Sequence, residues 1–367
     1  MIYYAAFVPG LQDVISAVVR GRLEDVTIHK LLNGAVIFET ACSYDRLNFF
    51  CFNNIFAVVS IVEKAKSAGT FRRKADGSSF PSGVLEEHMR AVIRTGKHPV
   101  ISENNKKILS FRIVFSIENR LAAVNEKIKR ETEAFISRAS GLSLSRSRPD
   151  TEFWFLYRSE GFSVFMKRLT RHASWEKQLH PGELPPPLAW TLCSLAGLGE
   201  KKSASLSVLD PFCGYGSIPF QALSRFPVQK IYASDTSAEA VQETRKKTGS
   251  VSPGRFCEIF RSDFRDLPQK PGMQNIDRIV TDPPWGLYRE TDRNTVQFYR
   301  EMLDCFEKLL AATGRAVILS AAVETLEKAA AESGLSVINK IPILLSGKKA
   351  AIFLLKKDCP KKEGRRT

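Results

Sequence analysis

From residue 205 onward, short apolar segments alternate with segments of helical spacing. That alternation constrains this chain more than any other feature. Residues 206–209, 230–234, 276–281, 316–320, 336–341 and 350–355 read as strands, with a further one at 257–260. Residues 218–226, 238–247, 295–311 and 323–333 read as helices. Strands that alternate with helices predict a parallel sheet covered on both faces. The last two strands are joined by residues 342–349 alone, too few for a crossover helix. They must therefore form an antiparallel hairpin. The expected architecture is α/β: a mostly parallel sheet that ends in an antiparallel pair.

The first part of the chain has another style. Residues 2–63 read as β, α, β, β, α, β, with strands at 2–8, 26–29, 35–40 and 55–62 and helices at 11–19 and 44–50. Asn33-Gly34 is a strong hairpin signal. This order predicts an antiparallel sheet with its helices on one face. Residues 66–82 are polar and basic and contain Gly and Ser, as a linker does. Beyond them come a helix at 84–94, a strand at 110–116 and a helix at 119–139, with Leu121, Val124, Ile128 and Phe135 on one stripe. Residues 152–157 and 162–167 form a hairpin around Glu160-Gly161. The resulting parts are 1–65, 66–172, a linker and helix at 173–192, 193–357 and a basic tail at 358–367.

Charge separates these parts further. The chain carries 54 Lys and Arg against 39 Asp and Glu, a net +15. Residues 64–177 alone hold 23 basic and 12 acidic groups, and residues 178–355 are nearly balanced at 21 and 19. A basic segment of this kind predicts a polyanionic partner. Lys127, Lys129 and Arg130 read as a solvated helix face. The seven cysteines are odd in number and irregular in spacing, with no C-x-x-C pair, so neither a disulfide framework nor a metal site is expected. Such cysteines suit a reducing, cytoplasmic setting. No apolar run approaches the ~18 residues of a membrane span, and the start has no signal-peptide pattern.

Four motifs carry chemistry, each at the end of an expected strand. The first is Asp210-Pro211-Phe212-Cys213-Gly214-Tyr215-Gly216-Ser217. Glycines in a strand-to-helix turn let the backbone turn tightly and approach a ligand. Pro219 stands where a dinucleotide fingerprint needs a third glycine, which disfavours a nicotinamide enzyme. The second is Asp235, whose carboxylate suits the two hydroxyls of a ribose or caps the following helix. The third is Asp263-Phe264, a carboxylate for an adenine amine beside a ring that packs on the base. The fourth is Asp282-Pro283-Pro284-Trp285. Two prolines fix the direction of a carbonyl, Asp282 and that carbonyl offer acceptors to an exocyclic amine, and Trp285 offers a ring to stack on the same base. An amine conjugated to a base is a weak nucleophile. Two fixed acceptors align its lone pair for attack on a methyl group.

These motifs, in this order, resemble those of the S-adenosylmethionine-dependent amino-methyltransferases. The chain looks like the THUMP-containing RNA guanine-N2 methyltransferases in particular. The resemblance runs over residues 1–355 and includes the connecting segment from His180-Pro181-Gly182-Glu183 to Ala189. It implies a Rossmann-like class I methyltransferase domain preceded by ferredoxin-like and THUMP domains. It implies that Asp210, Phe212, Gly214, Gly216, Asp235, Thr236, Asp263 and Phe264 hold S-adenosylmethionine, and that Asp282, Pro283, Pro284 and Trp285 hold the target base. The THUMP module would grip RNA, in tRNA-modifying members the 3′ acceptor end. Candidate phosphate contacts there are Arg72, Arg73, Lys106, Lys107, Arg146, Arg148, Lys167, Arg168 and Arg171. Trp285 and the Asp-Pro-Pro-Trp motif also occur in adenine-N6 methyltransferases, the same motifs permit ribosomal RNA as substrate, and an RNA-binding protein with a vestigial catalytic domain is the alternative outside enzymes.

Overall fold

The computed structural model describes residues 1–47, 49–63, 82–96, 98, 100, 108–118, 120–170, 179–200, 205–251, 255–285, 292–345 and 347–358. The expected linker at 66–81 and tail beyond 358 lie outside them. The chain divides into two compact units. One comprises Met1–Ala6, Ser16–Asn48 and Phe52–Ala173, the other Phe7–Ile15, Phe49–Cys51 and Ser174–Thr367.

The expected β, α, β, β, α, β order is present at the start: β1 (Ile2–Ala6), α1 (Gln12–Arg22), β2 (Thr27–Leu32), β3 (Ala35–Glu39), α2 (Tyr44–Leu47) and β4 (Asn54–Glu63). Asn33-Gly34 closes the hairpin as its sequence requires, with Leu32 facing Ala35 and Gly34 at φ 95°. β1 pairs antiparallel with both β3 and β4. The second helix is shorter than expected and ends at Leu47; Phe49 and Phe52 beyond it are both buried.

One sheet crosses the boundary expected at residue 65. β4 pairs antiparallel with β9 (Phe162–Arg168), which pairs with β8 (Thr151–Arg158), which runs parallel to β5 (Ser110–Ile117). Short strands β6 (Arg120–Leu121) and β7 (Ser143–Leu144) flank β5, and the whole order is β2-β3-β1-β4-β9-β8-β5-β6. Helices α3 (Ser82–Thr95) and α4 (Glu126–Ser140) pack Leu85, Met89, Val92, Ile128 and Ile136 on Phe111, Phe153, Phe155 and Phe165.

The helix expected from residue 119 begins only at Glu126. Asn125 caps it, its side-chain oxygen accepting from the Lys127 and Ile128 amides. Leu121 is therefore not on the helical stripe but 83% exposed in β6. His88 ties α3 to the sheet. Its two ring nitrogens meet the Ser60 and Ser163 hydroxyls at 2.8 Å each. Burial, helped by the nearby charge of His98, pushes its pKa from 6.5 down to about 4.

The second unit holds the expected α/β sheet. Its strands are β10 (Ser207–Asp210), β11 (Lys230–Asp235), β12 (Phe256–Arg261), β13 (Ile276–Thr281), β14 (Leu310–Ser320), β15 (Leu335–Leu345) and β16 (Lys348–Lys357). The order is β12-β11-β10-β13-β14-β16-β15. The first five are parallel, and β16 runs antiparallel to both neighbours. The closing hairpin is tighter than expected: Leu345 faces Lys348, with Gly347 at φ 81°. Helices α5 (Pro186–Leu195), α6 (Ser217–Arg225), α7 (Ala238–Gly249), α8 (Asp292–Leu309) and α9 (Val323–Ala331) cover the sheet. α8 supplies Tyr299, Met302, Leu303 and Phe306 to the main core. Among the described residues, no helix is long and apolar enough to cross a membrane.

His88 makes a checkable link between pH and stability. The folded state favours the neutral ring, so the unfolded chain binds the extra proton between pH 6.5 and about 4. The denaturant midpoint should fall as pH drops through that window, and His88→Phe, which cannot be protonated, should flatten the dependence.

Candidate active site

Parallel strands bring their carboxyl ends to one edge of a sheet, where α/β proteins bind ligands. Here β12, β11, β10 and β13 lie side by side, and an acidic residue closes or closely follows each. Asp210 closes β10 and Asp235 closes β11; Asp263 stands two residues past β12, and Asp282 follows β13 directly. All four line a cavity of about 480 Å³, and Glu183 from the connecting segment adds a fifth carboxylate. Arg265 is the one basic side chain among the described lining residues. A cavity of that charge suits a cation.

The glycine loop shapes the floor. Gly214 lines the cavity at φ +48°, and a Cβ there would meet no protein atom within 4 Å, so this face of the loop is open to a ligand. Its N–H donates to Asp235 Oδ2 at 2.9 Å, and its carbonyl accepts from the Thr244 hydroxyl at 2.8 Å. Asp235 Oδ1 accepts from the Ser237 amide at 2.9 Å. Gly216 does other work. It sits at φ +82° before α6, and a Cβ there would lie 2.8 Å from two side-chain atoms of Thr244 on α7. It permits helix packing and does not line the cavity.

The far wall is aromatic. Phe212, Phe264 and Phe298 all line the cavity, and their ring centroids are 5.2, 5.7 and 5.3 Å apart pairwise. Asp263 stands beside them and accepts from the Arg265 amide at 2.9 Å. The Arg265 guanidinium pairs with Asp263 and Glu301 and lies 4.6 Å over the Phe264 ring. Thr236 lines the cavity next to Asp235. A flat heteroaromatic ring packed against this wall, with a carboxylate at its rim, is what such a site accommodates.

The last motif lines the same cavity through Asp282 and Pro284. Thr281 Oγ1 donates to Asp210 Oδ1 at 2.7 Å, joining the ends of β13 and β10. Burial pushes the Asp210 carboxyl up to about 8 against the hydrogen bonds from Thr281 and the Phe212 amide, and the charges of Asp235 and Asp282 push it the same way. Burial also pushes Asp282 up to about 7, opposed by the Trp285 indole N–H, which donates to its Oδ1 at 2.8 Å. Pro283 is buried, and Pro284 lines the cavity. The fully buried Tyr299 places its hydroxyl 3.5 Å from the Pro284 carbonyl and 2.7 Å from Ser320 Oγ. Trp285 is not among the lining residues.

Sequence patterning alone passes over several residues here. Glu183 is buried, accepts from Ser217 Oγ at 3.0 Å and is ion-paired with Lys247. Phe298 and Tyr299 arrive on α8, where the sequence signals only a helical stripe. Tyr215 lines the cavity and stacks on His180 at 3.8 Å.

Of the candidate RNA contacts, Arg146 and Arg148 are exposed. Lys167 and Arg168 are a correction: in β9 Lys167 is buried, and Arg168, partly buried, is ion-paired with buried Glu152 at 2.9 Å. Neighbouring strand residues face opposite sides of the sheet, and both sides are packed here, with Phe165 in one apolar cluster and Met166 in another. Arg72, Arg73, Lys106, Lys107 and Arg171 lie outside the described residues. Gly216→Ala provides a test of the loop: left-handed backbone strain plus the Thr244 clash should lower stability by about 1–3 kcal/mol, read by chemical denaturation.

Comparison with known proteins bears on this site. Residues 173–349 match the family model described as UPF0020, RMKL-like, methyltransferase domain. The chain is 30% identical over 200 residues to the tRNA (guanine(10)-N2)-dimethyltransferase of Methanothermobacter thermautotrophicus, a match covering 51% of this chain and 55% of that protein. It is 27% identical over 225 residues to the tRNA (guanine(6)-N2)-methyltransferase of Thermus thermophilus, covering 60% and 64%. The matched regions thus span less than two thirds of the length of these relatives. The crystal structure of TrmN from Thermus thermophilus superposes with a TM-score of 0.73 at 22% identity, covering 97% of this chain and 99% of that one. That likeness establishes a shared fold. Residues 173–349, which hold the residues of the acidic cavity, are thus similar to the UPF0020, RMKL-like methyltransferase domains.

Proposed function

We propose that this protein transfers a methyl group from S-adenosylmethionine to the exocyclic N2 amine of a guanosine in structured RNA, with tRNA as the favoured class. One observation carries the reading. Asp282, at the end of β13, opens on the same cavity as Asp210, Asp235 and Asp263 at the ends of the three adjacent strands. Base acceptor and cofactor carboxylates thus share one space. When bound, S-adenosylmethionine supplies an electrophilic methyl group on a cationic sulfonium. The residues present fit that cofactor: the excess of carboxylates suits its positive charge, and the aromatic wall suits its adenine. In this reading Asp235 and Thr236 face the ribose, and Asp263 faces the adenine amine with Phe212 and Phe264 on the ring. The open face of Gly214 leaves room for the cofactor's chain.

On the substrate side, the Asp282 carboxylate and a proline carbonyl of the same motif accept the amine hydrogens. They would hold the nitrogen lone pair toward the methyl group and stabilise the positive charge that grows on nitrogen; as the N–C bond formed, the methyl–sulfur bond would break to leave a neutral thioether, and the amine proton would pass to the Asp282 carboxylate. The two tRNA-acting relatives, both named for guanine N2, support that base and that RNA class.

The basic region supports the same reading from elsewhere in the chain. Residues 66–172 would form the RNA-gripping THUMP module after a ferredoxin-like part at 1–65, with 193–357 as the catalytic domain. Exposed Arg146 and Arg148 remain candidate phosphate contacts, together with Arg72, Arg73, Lys106, Lys107 and Arg171. RNA affinity should then fall steeply with salt, a slope of log affinity on log salt of about −0.7 to −0.9 per phosphate contact. A flat dependence would count against this surface.

The central test is Asp282→Ala, assayed with unmodified small RNA, labelled cofactor and nucleoside analysis of the product. Loss of an acceptor used in the transition state should lower kcat by about 100-fold or more, with S-adenosylmethionine binding by calorimetry nearly unchanged. N2-methylguanosine is the expected product; N6-methyladenosine would move the reading to adenine. For the intact protein the active form is the carboxylate, so kcat/KM should rise with pH through about 7, the value to which burial pushes Asp282 in the free protein.

A further inference from the structure

We propose that Trp285 acts through its indole N–H, as a positioning residue that fixes the Asp282 carboxylate for the substrate amine. The inference rests on the methyltransferase reading above and assigns a role within it. The indole Nε1–H donates to Asp282 Oδ1 at 2.8 Å. Asp282 and Pro284 line the cavity, whereas Trp285 is not among the lining residues. Between donor and acceptor stand Pro283 and Pro284, whose rings lock φ near −65°. The short loop is thereby stiff, and the indole is held back onto the carboxylate that opens the motif.

The chemistry follows from the inventory of donors and acceptors. A carboxylate rotates about its last bond and offers lone pairs on both oxygens. An N–H held on Oδ1 stops that rotation and leaves Oδ2 to the amine. A phenylalanine at 285 has no donor, and a tyrosine carries its donor at the far tip of the ring. Of phenylalanine, tyrosine and tryptophan, only tryptophan places an N–H on its flank.

The other groups around Asp282 act in the opposite sense or elsewhere. The Asp210 carboxylate repels it, since each charge disfavours the other. The Tyr299 hydroxyl, on α8, is committed to Ser320 and the Pro284 carbonyl. Among the described residues, the Trp285 N–H is thus the donor that favours the charged carboxylate. Without it the carboxyl protonates more readily, and less of the protein carries the form that accepts the amine.

The test compares Trp285→Phe with the unaltered full chain across pH 5.5 to about 9, measuring kcat, KM for RNA and cofactor binding. Loss of a hydrogen bond to a charged group should lower kcat at neutral pH about 10- to 100-fold, with KM for RNA changed less than about threefold. The acid limb of the pH profile should move to higher pH, and part of the loss should be recovered at the alkaline end. A ring-stacking role predicts otherwise: Trp285→Phe keeps kcat and the acid limb, and Trp285→Ala raises KM. That pattern would overturn the proposal while leaving the methyltransferase reading intact. A second measurement keeps the two apart. Carbon NMR of protein labelled at the aspartate carboxyls, with Asp282→Asn for assignment, reads the Asp282 titration without catalysis. An upward shift in Trp285→Phe supports the contact even if no RNA guanosine is methylated, an outcome that would sink the functional reading; no shift overturns the proposal in either case.

Discussion

The bond from the Thr281 hydroxyl to the buried Asp210 carboxylate holds the two halves of the site together. Asp210 ends the strand that leads into the glycine loop, and Thr281 ends the strand that leads into Asp282 and its prolines. β10 and β13 are parallel neighbours, so their ends meet without a connecting loop. Everything around this bond is electrostatically uphill. Carboxylates crowd one cavity, and two of them are pushed to about 8 and about 7 by burial and, for Asp210, by one another. Such crowding persists only because the sheet and its hydrogen bonds define the geometry, and a cationic ligand relieves it.

The loops around the cavity repeat that logic at smaller scale. Asp235 accepts from two backbone amides, one in each neighbouring turn, so its carboxylate ties the glycine loop to the start of α7. Asp263 is tied by Arg265, which also reaches Glu301 on α8. Each acidic side chain is oriented before any ligand arrives. Preorganisation of this kind lowers the cost of binding, because the groups lose little further freedom on contact.

The amino-terminal unit follows different physics. Its sheet is continuous from β2 to β6, and the expected boundary at residue 65 runs through a strand pairing and not between two sheets. An isolated four-stranded sheet would have exposed β4 as an edge; pairing with β9 covers it. Buried charge in this sheet is matched in place: Glu152 meets Arg112 and Arg168 and accepts from the Trp154 indole. On β5, Arg112 lies on the face opposite Phe111 and Phe115, and its partner Glu152 lies opposite it on the parallel strand β8.

The sequence by itself determined the second unit's architecture and the position of each acidic motif. Apolar period, proline and glycine placement, and the length of the last connection are local quantities, and local quantities are what a sequence exposes. The strand ends, the closing antiparallel hairpin and the line of Asp210, Asp235, Asp263 and Asp282 were all legible there. The helix at 119–139 was misread at its start because a stripe of apolar residues does not reveal where a cap such as Asn125 takes over. Tertiary structure alone decided which side chains share space. It placed Glu183 and Phe298 in the cavity, buried Lys167 and paired Arg168 with Glu152, sent Gly216 to helix packing, and laid the Trp285 N–H on Asp282. Those outcomes depend on distances between residues remote in the chain, or on which way a strand or loop faces. No spacing rule encodes either until the fold is formed.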